Sequence, residues 1–155
     1  MKILDFLSEN CVLTELEGKT KKAVVTELVE VLADCGKKSQ VKNVDKVVEA
    51  IMKRESTGST GIGQGVAIPH AKSEDVTKIV ASLGISKAGV DFDSLDGEPV
   101  YIFFLMVAPP ESISEHLQAI AKISRLLKDK FFRQSLRDAQ TPSEIIKIIK
   151  EEDEL

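Results

Sequence analysis

Residues 100–108 read Val-Tyr-Ile-Phe-Phe-Leu-Met-Val-Ala, a run without a single charged side chain. A strand sends successive side chains to opposite faces, so a strand that is apolar throughout needs cover on both. The run is far shorter than the ~20 residues of a membrane-spanning helix, and Pro109-Pro110 ends it. It predicts the central strand of a sheet with helices packed on both sides.

Working outward, Asp96-Gly97 is a turn signal just upstream. Lys78 to Ser86 alternates, with Ile79, Ala81, Leu83 and Ile85 on one face. Gly65 to Ile68 predicts a short strand and Cys11 to Leu16 another, while Ile3 to Leu7 is apolar without a decisive period. Helical spacing appears between and after these. Thr20 is an N-cap candidate before Val24, Leu28, Val31 and Cys35, and Gly36 is a stop. Asn43 caps a helix carrying Val44, Val47, Val48 and Ile51 that ends near Arg54. Ser114 is read as the cap of the next helix, which places His116 in its first turn and Leu117, Ile120, Ala121, Ser124 and Leu127 on its inner face. Lys130 to Ala139 is a shorter helix. Thr141-Pro142-Ser143-Glu144 joins a capping box to Pro at the first helical position, and Ile145, Ile148 and Ile149 pack that last helix down. The acidic tail, Glu151 to Glu154, is expected to fray. Helices flanking an apolar strand make the chain α/β, a single domain over residues 1–155, its mixed sheet of about five strands having helices on both faces.

With 155 residues the chain can bury a substantial core, and 43% hydrophobic with 30% charged residues is ordinary for a soluble protein. A net charge of -4 argues against nucleic acid as a partner. Asp5 and Glu9 interrupt the N-terminal apolar residues, unlike a signal peptide. A cytoplasmic protein without direct membrane insertion is expected. Cys11 and Cys35 do not form a Cys-x-x-Cys pair, and both are read as buried, reduced thiols. So few soft ligands give no metal site.

The chemistry gathers between Arg54 and Lys72, in Arg-Glu-Ser-Thr-Gly-Ser-Thr-Gly-Ile-Gly-Gln-Gly-Val-Ala-Ile-Pro-His-Ala-Lys. Gly58, Gly61, Gly63 and Gly65 fall here with Ser56, Thr57, Ser59 and Thr60, and the stretch leads into His70, one of two histidines. Glycine-rich turns can present successive N–H groups to an anion. A P-loop is excluded, because Gly63 is followed by Gln64 and Gly65 rather than by Lys-Ser or Lys-Thr. A Rossmann fingerprint is excluded, because Gly61-Ile-Gly-Gln-Gly has the wrong spacing and follows a helix. Without a nucleotide site, a phosphoryl group is expected on the protein itself. Neutral imidazole is a nucleophile near neutral pH and can carry phosphorus on nitrogen. Pro69 biases Ile68 towards an extended conformation and holds His70 at a strand end. Arg54 offers a guanidinium fork to the equatorial oxygens, although a cation at a helix C-terminus also has a purely structural reason. His116 could donate one N–H to the same group, or could simply pack or cap its helix.

The residues Arg54-Glu55-x-x-Gly58-Ser59-Thr60-Gly61-Ile62-Gly63-x-Gly65-Val66-Ala67-Ile68-Pro69-His70 closely resemble the active-site signature of the type-2 EIIA domains of the bacterial phosphoenolpyruvate:sugar phosphotransferase system, with its fructose, mannitol and nitrogen-regulatory branches. Phe92-Asp93-Ser94-Leu95-Asp96-Gly97-Glu98-Pro99-Val100 and Glu115-His116-Leu117 are similar to further family segments. The resemblance covers essentially the whole chain. It implies a phosphotransferase component in which His70 accepts a phosphoryl group from the phosphohistidine of HPr or a paralogue. The group then passes to a cysteine of an EIIB partner. His116 and Arg54 match the second histidine and the arginine of the active centre, with Gly58, Ser59, Thr60, Gly61 and Gly63 as the phosphoryl loop. No metal or organic cofactor is implied. A sugar-uptake carrier and a nitrogen-type regulator with protein targets both fit the resemblance. A non-catalytic anion-binding domain would keep Arg54 and the loop but need no nucleophile.

Overall fold

The computed structural model describes residues 1–34 and 41–154. Along the chain, a 3₁₀ turn (Ile3–Asp5) leads into β1 (Leu7–Leu13), α1 (Lys21–Asp34) and α2 (Val44–Ser56). Three short strands follow, β2 (Gly61–Gly63), β3 (Val66–Ala67) and β4 (His70–Lys72), then the long β5 (Val80–Val90) and β6 (Val100–Ala108). The chain finishes with α3 (Ile113–Leu126), α4 (Lys130–Asp138) and α5 (Pro142–Asp153).

The apolar run is indeed the central strand. β6 pairs with β5 on one side, antiparallel, with Val80 opposite Val107 and Val90 opposite Val100. On its other side it takes β3 and β4 in succession, both parallel, at Ile102–Phe103 and at Met106–Ala108. β1 lies parallel beyond β5, and β2 antiparallel beyond β3. The mixed sheet therefore has six strands, one more than expected, because pairing resumes at His70 after a break. Pro69 accounts for the break: it has no N–H to give to the ladder. Its carbonyl still accepts Met106 N at 2.9 Å, so the chain stays docked on β6 and delivers His70 into register with Met106.

Residues 80–86 of β5 and 102–108 of β6 are buried at every position, which requires cover on both faces of the sheet. α1 and α2 pack together, and so do α4 and α5. Ser82 faces α1 and satisfies its buried hydroxyl by donating to the Leu28 carbonyl at 2.9 Å. Local capping chemistry sets several helix ends: Asn43 accepts from Lys46 N, Asp129 from Phe131 N and Phe132 N, and Thr141 from Glu144 N.

Four sequence expectations change. The inner face of α1 is Val24, Val25, Leu28, Val29 and Leu32, and Val31 lies at its edge; Cys35 and Gly36 fall outside the described residues. α3 begins after Ser112 rather than Ser114, and its inner face is His116, Ala119 and Ile123, which leaves Leu117 exposed. The acidic tail does not fray. Asp153 pairs with Lys122 at 2.6 Å and accepts Ile3 N at 2.8 Å, two contacts that hold the last turn of α5 on the domain. Cys11 is buried but is not a free thiol. No helix among the described residues is long and apolar enough to cross a membrane.

Candidate functional site

The site lies where the C-terminus of α2, strand β4 and the first turn of α3 converge. A cavity of about 690 Å³ opens there, lined by Arg54 and Lys53 from α2, His70 and Lys72 from β4, and Ile113 and His116 from α3. Arg54, His70 and His116, widely separated in the chain, meet at this one place. His70 and Lys72 share it because residues two apart on a strand face the same way.

Arg54 sits in the last turn of α2, where the helix dipole favours a cation. Its Nη1 donates to Thr57 Oγ1 at 3.1 Å and to the Gly58 carbonyl at 3.0 Å. The loop thus holds one edge of the guanidinium and leaves the remaining donors for an anion.

His70 is half-buried, and its Nδ1 lies 2.8 Å from the Ile68 carbonyl. A carbonyl can only accept, so Nδ1 carries the proton and Nε2 keeps its lone pair. Burial lowers the His70 pKa most, and the bond to Ile68 opposes this; the Arg54 charge lowers it further, while that of Glu55 raises it. The net result is an imidazole that is neutral at physiological pH.

His116 is buried, 3% exposed, with its ring centroid 5.5 Å from that of His70 in an edge-on arrangement. Burial, then the neighbouring His70 and Lys72, lower its pKa to about 4. Its Nε2 is buried without a hydrogen-bond partner. Such a group is costly unless something occupies the space beside it. Two neutral imidazoles set among Arg54, Lys53 and Lys72 can receive an anion and offer it a nitrogen nucleophile.

The glycine-rich loop is placed differently from its sequence reading. None of Gly58, Ser59, Thr60, Gly61 and Gly63 lines this cavity, and Gly58 reaches it only through the bond from Arg54. Ser59 Oγ donates to the Phe92 carbonyl at 2.6 Å and accepts from Gly61 N at 3.0 Å. Thr60 gives its N–H and its hydroxyl to Glu55, at 2.9 and 2.6 Å. Gly61 lies against Ser94, where a Cβ would fall 2.4 Å from Ser94 Oγ. Gly63 is in β2 at φ +97°, facing Asp96. The hydroxyls of Ser59 and Thr60 thus serve the fold, while Thr57 lines the cavity and holds Arg54.

Sequence reasoning named Glu55 only within the family signature, without a role, and passed over Lys21. Glu55 stands four residues after Ile51, on the inward stripe of α2 where an apolar residue would be expected, and that was the available signal. It is 5% exposed and pairs with Lys21 at 3.3 Å. Among the described residues no cluster of three or more His, Cys, Asp or Glu could hold a metal ion.

Comparison with known proteins brings three kinds of likeness. Residues 5–152 match the family model described as "Phosphoenolpyruvate-dependent sugar phosphotransferase system, EIIA 2". The chain is 39% identical to a fructose-specific EIIABC component of the phosphotransferase system of Bacillus subtilis, over 99% of this chain but only 24% of that protein. It is 34% identical to a nitrogen regulatory protein of Bradyrhizobium diazoefficiens, over 96% of this chain and 95% of that one. The crystal structure of nitrogen regulatory protein IIA-Ntr from Neisseria meningitidis superposes with a TM-score of 0.84 at 30% identity, covering 94% of this chain and 97% of that one.

Proposed function

The chain belongs to the EIIA 2 family of the phosphoenolpyruvate-dependent sugar phosphotransferase system, and on that premise we propose that it carries a phosphoryl group on His70 Nε2. The donor is the phosphohistidine of an HPr-like protein and the acceptor a cysteine of an EIIB partner. The observation that carries this reading is the 2.8 Å bond from Nδ1 to the Ile68 carbonyl, which reserves Nε2 as the nucleophile.

Nε2 attacks phosphorus as the bond to the donor's histidine nitrogen breaks, and the proton stays on Nδ1, hydrogen-bonded to the Ile68 carbonyl. In the second half, a cysteine thiolate attacks and the bond to Nε2 breaks. Both displacements pass through a state with charge spread over three equatorial oxygens, so catalysis is positioning and charge stabilisation. Arg54 supplies the fork and His116 a buried N–H. His116 can do so without competing for protons, because its ring is neutral. The exchange takes place in the cytoplasm, where the donor is made.

Incubation with phosphoenolpyruvate, the first enzyme of the system and HPr tests the reading. Acid-labile phosphate on His70 by mass spectrometry is expected, and phosphate absent or on another residue overturns it.

A second reading, a regulator whose phosphorylation state selects protein targets, is favoured by one observation. The nitrogen regulatory IIA-Ntr of Neisseria meningitidis superposes with a TM-score of 0.84, against 0.75 for the mannitol IIA of Escherichia coli. Transfer from the phosphorylated protein to a purified EIIB domain separates the two: rapid transfer favours the sugar carrier, and a stable phosphoprotein favours the regulator.

A further inference from the structure

A carboxylate inside a protein is costly unless it is paired and fully hydrogen-bonded. Glu55 meets both conditions. Its Oε1 is 3.3 Å from Lys21 Nζ and accepts Thr60 N at 2.9 Å, and its Oε2 accepts Thr60 Oγ1 at 2.6 Å. Lys21 is itself fixed, 3.2 Å from Asp93 and 4.8 Å above the ring of Phe92. Since this position is on the apolar stripe of α2, packing alone would be met by a leucine. The polar cluster has to be explained by what it holds.

It holds two things. Pulling Thr60 back against α2 closes the loop 56–59, and Arg54 Nη1 grips the middle of that loop through Thr57 Oγ1 and the Gly58 carbonyl. The Thr60 carbonyl in turn accepts Ile68 N at 3.0 Å, and the Ile68 carbonyl faces His70 Nδ1 at 2.8 Å. From one carboxylate, an unbroken set of hydrogen bonds runs through Thr60 to the backbone that orients the His70 ring. The loop it closes fixes the guanidinium of Arg54.

We infer that Glu55 is a positioning residue for transfer at His70, its Lys21-neutralised carboxylate acting through Thr60 to fix the Arg54 guanidinium and the His70 tautomer in one frame. This rests on the carrier reading of His70. Displacement of a reacting group by about 1 Å can cost on the order of a hundredfold in rate. Loosening this frame therefore acts on the maximal rate rather than on donor binding.

The test uses the whole protein with Glu55→Gln, which keeps size and removes charge, and Thr60→Val, which keeps the Glu55–Lys21 pair and removes only the hydroxyl. Three quantities are measured: ¹⁵N shifts of the His70 imidazole, the KM and kcat for phosphorylation by phospho-HPr, and a thermal melt. The expected result is a weakened Nδ1–H tautomer signature at His70 in both variants, with kcat down by about tenfold or more and KM within about twofold. A lowered melting temperature beside wild-type tautomer and kcat would overturn the inference, since a merely structural Glu55 predicts that. If Glu55→Gln does not fold, Thr60→Val alone decides by the same criteria. If wild-type protein takes no phosphate, the carrier reading fails, and the imidazole shifts still decide whether Glu55 positions the ring.

Discussion

Replacing His116 by Gln should flatten the acid limb of the stability profile. His116 is 3% exposed, so little solvent screens its ring. A pKa lowered from 6.5 to about 4 corresponds to about 3 kcal/mol of preference for the neutral ring, at about 1.4 kcal/mol per tenfold in proton affinity. The sign follows from which state binds the proton. Between the two values the unfolded chain is protonated at this residue and the folded protein is not, so stability falls as pH falls. The loss begins below about pH 6.5, reaches about 2 kcal/mol near pH 5, and is complete below about pH 4. The physical cause is burial, aided by His70 and Lys72. His70 is shifted in the same direction and adds to the wild-type slope, so the informative quantity is the difference between wild type and variant. Urea denaturation of both at about pH 7 and about pH 5 measures it. Wild type should lose about 2 kcal/mol more than His116→Gln across that interval. Equal losses would refute the claim that His116 is held neutral by its surroundings.

His70→Ala should fold as wild type does and take up no acid-labile phosphate from phospho-HPr, read by intact mass. One nitrogen, Nη1, holds both Thr57 and Gly58, so Arg54→Lys keeps the charge but loses the fork left for the phosphoryl oxygens; rapid-quench kinetics should show phosphorylation slowed by about tenfold or more, with stability changed by less than about 1 kcal/mol at this exposed helix end. Gly61→Ala would place a Cβ 2.4 Å from Ser94 Oγ and 3.0 Å from Ser94 Cα, so urea denaturation should report a loss of about 1–3 kcal/mol from overpacking.

What the sequence made legible is what short-range chemistry decides. The 100–108 run announced a strand buried on both faces, because apolar residues at consecutive positions have no other economical use at that length. Asn43 and Thr141 were readable as caps because the bond they make spans three residues. Ser112 was not, and the structure gives the reason: its side chain makes no capping bond, so nothing local distinguished it from Ser114. The face of α3 was a separate misreading: Leu117, Ile120 and Ser124 recur at helical spacing, but so do His116, Ala119 and Ile123, and it is the second set that packs inward. The glycine loop misled for the opposite reason. Its composition was local, but its commitments are not: Ser59 bonds to Phe92, 33 residues away, and Gly61 lies against Ser94. The convergence of Arg54, His70 and His116 depends on α2, β4 and α3 meeting beside β6. No spacing within the chain could state it, although the family signature implied it.

The anchoring of the last turn has a kinetic meaning. Asp153 reaches the backbone of Ile3 across 150 residues of sequence, while Lys122 of α3 holds the same carboxylate. Loop-closure entropy makes so distant a contact unfavourable until most of the intervening chain is already ordered. It should therefore form after the rate-limiting step of folding. Asp153→Asn would leave the folding limb of a denaturant chevron where it is and raise the unfolding limb, accelerating escape from the native state. Because α3 also carries His116, the turn expected to close late in folding is tied through Lys122 to the helix that brings His116 to the cavity. The time the native protein survives before opening is set in part at its far end.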